Sequence, residues 1–200
     1  MIPLARDLYR LLLPNVHLNR SLRILITLSV LMNFVIGMFS PFYAIFVQKI
    51  GGDIAYAGIT WAVFEIVCGV LTLFFTRWSL RVREQELLLA LGYVIRAVVF
   101  LSYAFMTSMM QLILTQVLWG IAAAIGVPAF DAVFAAHTSH DSSIAEWGGL
   151  EGVTSIAVGV AALIGGFAIK ALGFTVIFYG MAGISFLLAL YIWLLPREVL

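Results

Sequence analysis

The sequence predicts an all-α integral membrane protein whose six transmembrane helices form a 3+3 inverted repeat. Three observations predict it. Of the 200 residues, 64% are hydrophobic and 10% charged. The apolar residues fall in long runs bounded by charge, Gly or Pro, and the chain resembles itself when shifted by 90 positions. A soluble domain is near half apolar and a quarter charged, so this chain has too little polar surface to face water on every side. At roughly 20 apolar residues per crossing of an about 30 Å hydrocarbon core, its apolar content fills about six spans.

The same composition excludes other classes. A net charge of +1 with scattered Lys and Arg makes no basic patch for nucleic acid. A single cysteine, Cys68, makes neither an internal disulfide nor a Cys-based metal site.

Residues 1–23 open with MIPLARDLYRLLLPNVHLNR, in which leucines alternate with basic side chains around Pro14. This pattern predicts an amphipathic helix lying in the interface as an anchor, ahead of a transmembrane domain over 24–196. Spans are expected near 24–47, 56–76, 87–106, 110–136, 147–170 and 173–195. Runs such as ILITLSVLMNFVIGMF and LGYVIRAVVFLSYAF are apolar on all sides, which fits helices and not the alternating strands of a barrel. Arg6, Arg10, Arg20, Arg23, Arg77, Arg81, Arg83 and Arg197 fall at one end of these spans, and Lys49 and Lys170 at the other. By the positive-inside rule both termini are cytoplasmic, and the cell membrane is the expected location.

The shift of 90 aligns Ile54 with Ile144, Gly58 with Gly148, Ile66 with Ile156 and Gly69 with Gly159, and a small loop adjustment sets Pro41 against Pro128. Helices one to three therefore repeat as helices four to six. Three is odd, so the second copy enters the membrane from the opposite side, and inverted repeats of this kind underlie alternating access in secondary transporters.

From Leu118 to Pro196 the chain resembles helices four to six of the major facilitator superfamily. The features that carry the resemblance are a small-residue fourth helix ending in Pro128-Ala129, a polar loop, Gly165-Gly166 in the fifth helix, and Gly173-Phe174 opening the sixth. Between the second and third helices, FFTRWSLRVREQELLLALG keeps Arg77, Arg81 and Arg83 of the family's basic motif, but Thr76 stands at the acid's place and the glycine is absent. Family transporters have two six-helix halves around a central cavity, and this chain is similar to one half. The resemblance implies a transporter of a small solute, with cavity residues Asn33, Tyr43, Gln116, Trp119 and Asp131 on the first and fourth helices. It also implies a gate at the cytoplasmic loops, where Arg77, Arg81 and Arg83 meet Asp131, Glu146 and Glu151. For Glu146 and the nearby histidines, solvated loop charge is the favoured reading, and for Asp131 the latch.

Glu65 and Arg96 are the deepest charges. Around Arg81, Glu65 lies 16 residues before and Arg96 15 after, which at about 1.5 Å per residue puts both roughly 15 Å deep. Equal depth predicts a buried ion pair fixing the second helix on the third; facing a cavity instead, Glu65 exchanges a proton and Arg96 binds an anion. Gly148, Gly149, Gly152, Gly159, Gly165 and Gly166 make a small-residue stripe on the fifth helix, expected to pack closely. His137-x-x-His140-Asp141 is too sparse for a metal site. With no nucleophile elbow, phosphate loop or zinc-protease motif, neither an enzyme nor a bound cofactor is expected.

The expected activity is therefore alternating-access transport, with proton coupling through Glu65 or Asp131, by a homodimer or a heterodimer with another six-helix half in the lipid bilayer. The alternative is a membrane scaffold that keeps this fold and binds a partner without transporting.

Overall fold

The computed structural model describes residues 19–79, 82, 84–139 and 141–196, with the backbone alone at 76–79. The amphipathic segment expected over 1–23 thus lies almost wholly outside the described residues. The remainder is helical: α1 (Arg20–Gly37), a 3₁₀ turn (Ser40–Phe42), α2 (Tyr43–Lys49), α3 (Ile54–Ser79), α4 (Gln85–Ala104), α5 (Met109–His137), α6 (Ser143–Leu172) and α7 (Phe174–Leu194). With α1 and α2 counted as one broken span, six helices among the described residues are long and apolar enough to cross a membrane. The predicted edges differ most at the starts of the first and fifth spans, which begin at Arg20 and Ser143, each before its apolar run.

Local chemistry explains where the helices begin and end. Asn19 caps α1 by accepting from Leu22 N at 2.8 Å. Ser108 and Gln111 form a capping box at the start of α5, the serine hydroxyl taking the Gln111 N–H while the glutamine oxygen takes the Ser108 N–H. Asp53 Oδ1 accepts from Tyr56 N at 2.9 Å at the head of α3. Gly173, at φ +80°, separates α6 from α7 with a backbone that a side chain would strain.

The two prolines behave differently. Pro41 has no N–H, and Phe42 N bonds to Phe39 O at 2.8 Å, so the first span is interrupted by the 3₁₀ turn. Pro128 sits within α5, which continues through it.

α3 lies on α5 and α1 lies on α6, while α4 and α7 pack on each other, α4 also backing α5 and α7 also backing α1. Two apolar clusters stack along the bundle. One joins Leu22–Met32 with Leu88–Tyr93, Phe134 and Ile192; the other centres on Phe39, whose ring lies 4.9–6.2 Å from those of Tyr43, Phe46, Tyr103, Phe174 and Phe178. Arg96 and Ser185 lie at the waist between the clusters, on α4 and α7.

Backbones approach most closely at glycines. A Cβ on Gly165 of α6 would stand 2.1 Å from the Met38 carbonyl oxygen, and one on Gly120 of α5 would stand 2.9 Å from that of Phe64 on α3. These glycines let α6 and α3 seat against their partners through backbone contact.

Candidate functional site

The residues nominated for a cavity wall divide into two groups. Tyr43, Gln116 and Trp119 come together, but inside the bundle: Gln116 is fully enclosed, and Tyr43 and Trp119 are buried. Gln116 Nε2 donates to Tyr43 Oη. Tyr43 Oη lies 2.6 Å from Thr60 Oγ1, and that hydroxyl reaches the Tyr56 carbonyl at 2.7 Å. The chain of hydrogen bonds joins three spans, α5 to α2 to α3. Trp119 extends it with rings, lying 4.9 Å from Phe64, 5.9 Å from Phe100 and 6.3 Å from Trp61. A buried amide in an apolar surround needs a partner, and Tyr43 is that partner. These three residues brace the helices and do not line an open wall, which corrects the expectation for them.

Asn33 and Asp131 keep access to the surface. Asn33 is half-buried, and its amide donates to Ser29 O at 3.0 Å on its own helix. Asp131 is exposed on α5 and within electrostatic reach of Glu151, exposed on α6. Both carboxylates lie toward the end of the bundle where α1 begins. Asn19 defines that end by donating its Nδ2 hydrogen to the His137 carbonyl at 2.9 Å, tying the start of α1 to the close of α5.

The gate residues also separate. Glu146 is buried, at 1% exposure, and its carboxylate accepts from Ser139 N at 3.0 Å and Ser142 Oγ at 2.7 Å. It is a brace for the turn between α5 and α6, not a solvated loop charge, because the turn supplies hydrogen bonds that replace water. Arg81, Arg83 and the Arg77 side chain lie outside the described residues. His137 Nδ1 contacts Val133 O at 2.8 Å within its own helix; its expected neighbour His140 also lies outside the described residues. Among those residues no group of three or more His, Cys, Asp and Glu stands ready to hold a metal.

The expected Glu65–Arg96 ion pair does not form. Glu65 is exposed on α3, whereas Arg96 is buried on α4 with its guanidinium 5.5 Å from the centre of the Tyr93 ring. Glu65 turns outward from α3 and Arg96 inward from α4. Cys68 lies within electrostatic reach of both charges.

Sequence reasoning missed Thr60, Asn19 and the Ser139–Ser142 turn. Asn19 carries a visible signal, a cap residue just before an apolar run. Thr60 carries none, since a lone threonine in a span mostly bonds its own backbone.

At the end of the bundle away from Asn19, a cleft of about 370 Å³ opens among Phe46, Tyr103, Phe174 and Phe178, with Lys49 Nζ 5.5 Å over the Phe174 ring.

No curated protein matches the chain. The family model of the Major Facilitator Superfamily matches residues 25–199 of 200. Members of that family are secondary membrane transporters. The six spans, their burial of polar bracing inside and the match along nearly the whole length lead to one assignment: this multi-pass membrane protein belongs to the Major Facilitator Superfamily.

Proposed function

We propose that the chain carries a small solute across the bilayer by alternating access, with two copies packing in parallel so that each supplies one wall of a shared cavity. The observation that carries this reading is the exposure of α3 and α6. Only 6% and 11% of their apolar windows are buried, against 44–56% for the other spans. Both present small residues outward: a Cβ on Gly58 or Gly69 of α3, or on Gly148, Gly152 or Gly159 of α6, meets nothing within 4 Å. These glycines leave room for a second set of helices to approach closely, whereas the expected close packing within the chain is made by Gly165 and Gly166. Exposed carboxylates within the spans, Glu65, Asp131 and Glu151, also call for water or protein and not lipid.

The helix neighbours support an inverted repeat. Exchanging the first three spans with the last three turns the α3–α5 contact into the α6–α1 contact and maps α4–α7 onto itself. Two such packings, related by symmetry, are what alternating access requires. Both termini face the cytoplasm in this reading, at the arginine-rich end, and the cell membrane is the location. Glu65 or Asp131 couples the solute to protons.

The test is the mass of the protein in lipid discs, followed by uptake into vesicles. A dimer whose Asn33→Cys variant is shielded from a water-borne thiol reagent by a transported solute supports the reading. A monomer showing no uptake sinks it and leaves a partner-binding scaffold, a role that the burial of Tyr43, Gln116 and Trp119 also fits.

A further inference from the structure

Arg96 is 7% exposed, and among the described residues nothing accepts a hydrogen bond from it. Its Nε is sealed from solvent without a partner, whereas neither terminal nitrogen is sealed in this way. An arginine stays charged in any protein environment, so burial cannot be relieved by losing the proton. A cation at mid-depth without an acceptor is strongly unfavourable, and such residues pair or face a polar cavity. The surround is shaped for the group. Tyr93 offers its ring to the guanidinium. Gly92 and Gly126 bring α4 and α5 into backbone contact, and a Cβ on Gly126 would stand 4.0 Å from Arg96 Nη2. The guanidinium therefore lies beside the Gly92–Gly126 backbone contact, at a point where α5 presents no side chain to it.

We propose that Arg96 anchors a binding site for a small monovalent oxyanion, a carboxylate or a group of nitrate shape. The planar fork of the guanidinium bonds two oxygens at once, which selects flat oxyanions over spherical ones. The single positive charge selects monoanions, because a dianion would bring an unneutralised charge to mid-depth. Glu65 does not fill this role: it lies on the exposed face of α3 and makes no ion pair with Arg96. The site is a statement about binding and does not depend on transport.

Cys68, the chain's single cysteine, half-buried and within electrostatic reach of Arg96, is a native reporter. The guanidinium charge favours the reactive thiolate of Cys68, and an anion seated on that guanidinium cancels the contribution. The experiment follows labelling of Cys68 by monobromobimane in the full chain in lipid discs, at constant ionic strength, with nitrate, benzoate or sulfate. Nitrate and benzoate are expected to slow labelling severalfold with a saturable dependence, and sulfate to leave it unchanged. Arg96→Gln is expected to abolish the anion effect. Should that variant not fold, Arg96→Lys serves in its place, keeping the charge without the fork and shifting half-saturation upward by about tenfold. Labelling indifferent to nitrate and benzoate in the parent chain overturns the proposal, as does an unchanged anion response in either variant. Because no gradient is used, a chain that does not transport still answers the question. Uptake without anion protection would leave the transport reading standing and remove this one.

Discussion

Gln116 on α5 donates its amide hydrogen to the phenolic oxygen of Tyr43 on α2, and Tyr43 in turn meets the Thr60 hydroxyl of α3. One tyrosine thus holds two other spans, and the bond network has a direction of dependence. Tyr43→Phe strands the whole Gln116 amide, whose Oε1 already has no partner. Gln116→Met removes the amide altogether and fills similar volume. Leaving a buried polar group unmade is worse than removing both groups. Tyr43→Phe is expected to lower stability by about 1–2 kcal/mol and Gln116→Met by less, read as Tm in detergent and lipid. The reverse order would sink the network account.

Glycine positions on α6 are expected to split. Gly165→Ala drives a Cβ into the Met38 carbonyl, a backbone atom that cannot swing aside, and is expected to cost about 1–3 kcal/mol. Gly152→Ala meets open space in the single chain and leaves Tm within error. If two copies meet at α3 and α6, Gly152→Ala instead shifts the monomer–dimer balance in lipid discs. Equal Tm losses for both substitutions would contradict the packing described.

Asn19 does two tasks with one side chain, capping α1 through its oxygen and closing α5 through its nitrogen. Asn19→Asp keeps the cap and loses the donated bond, whereas Asn19→Ala loses both. Hydrogen exchange should show faster opening at the close of α5 in both variants, and at the start of α1 only in Asn19→Ala, where the cap is worth about 1 kcal/mol. Unchanged exchange at His137 and Thr138 in both would show that the link carries no stability.

Six spans were legible because bilayer thickness forces long apolar runs, and no tertiary contact overrides that constraint. The facing of side chains was not. Glu65 and Arg96 share a depth that the residue count gives, yet pairing depends on rotation about each helix axis, and spans apolar on all sides hold no periodicity to reveal it. The same blindness put Tyr43, Gln116 and Trp119 on an open wall. Pro41 and Pro128 look alike in sequence, but only Pro41 interrupts its helix, where α6 presses Gly165 against the carbonyl of Met38.

Glu146 and Asp131 test whether the turn after α5 is a brace or a gate. Glu146 is buried with acceptor oxygens filled by Ser139 and Ser142; Glu146→Ala leaves the Ser139 N–H without its acceptor, and is expected to cost about 1–3 kcal/mol. Asp131 is exposed and within electrostatic reach of the like charge of Glu151, so Asp131→Asn removes a repulsion and leaves Tm unchanged or slightly higher. A brace changes how much protein folds, and a gate changes what each folded molecule does. Uptake normalised to folded protein is therefore expected to survive in Glu146→Ala and to change in Asp131→Asn. Parent-like Tm with lost turnover in Glu146→Ala would make Glu146 the gate and overturn the assignment of roles.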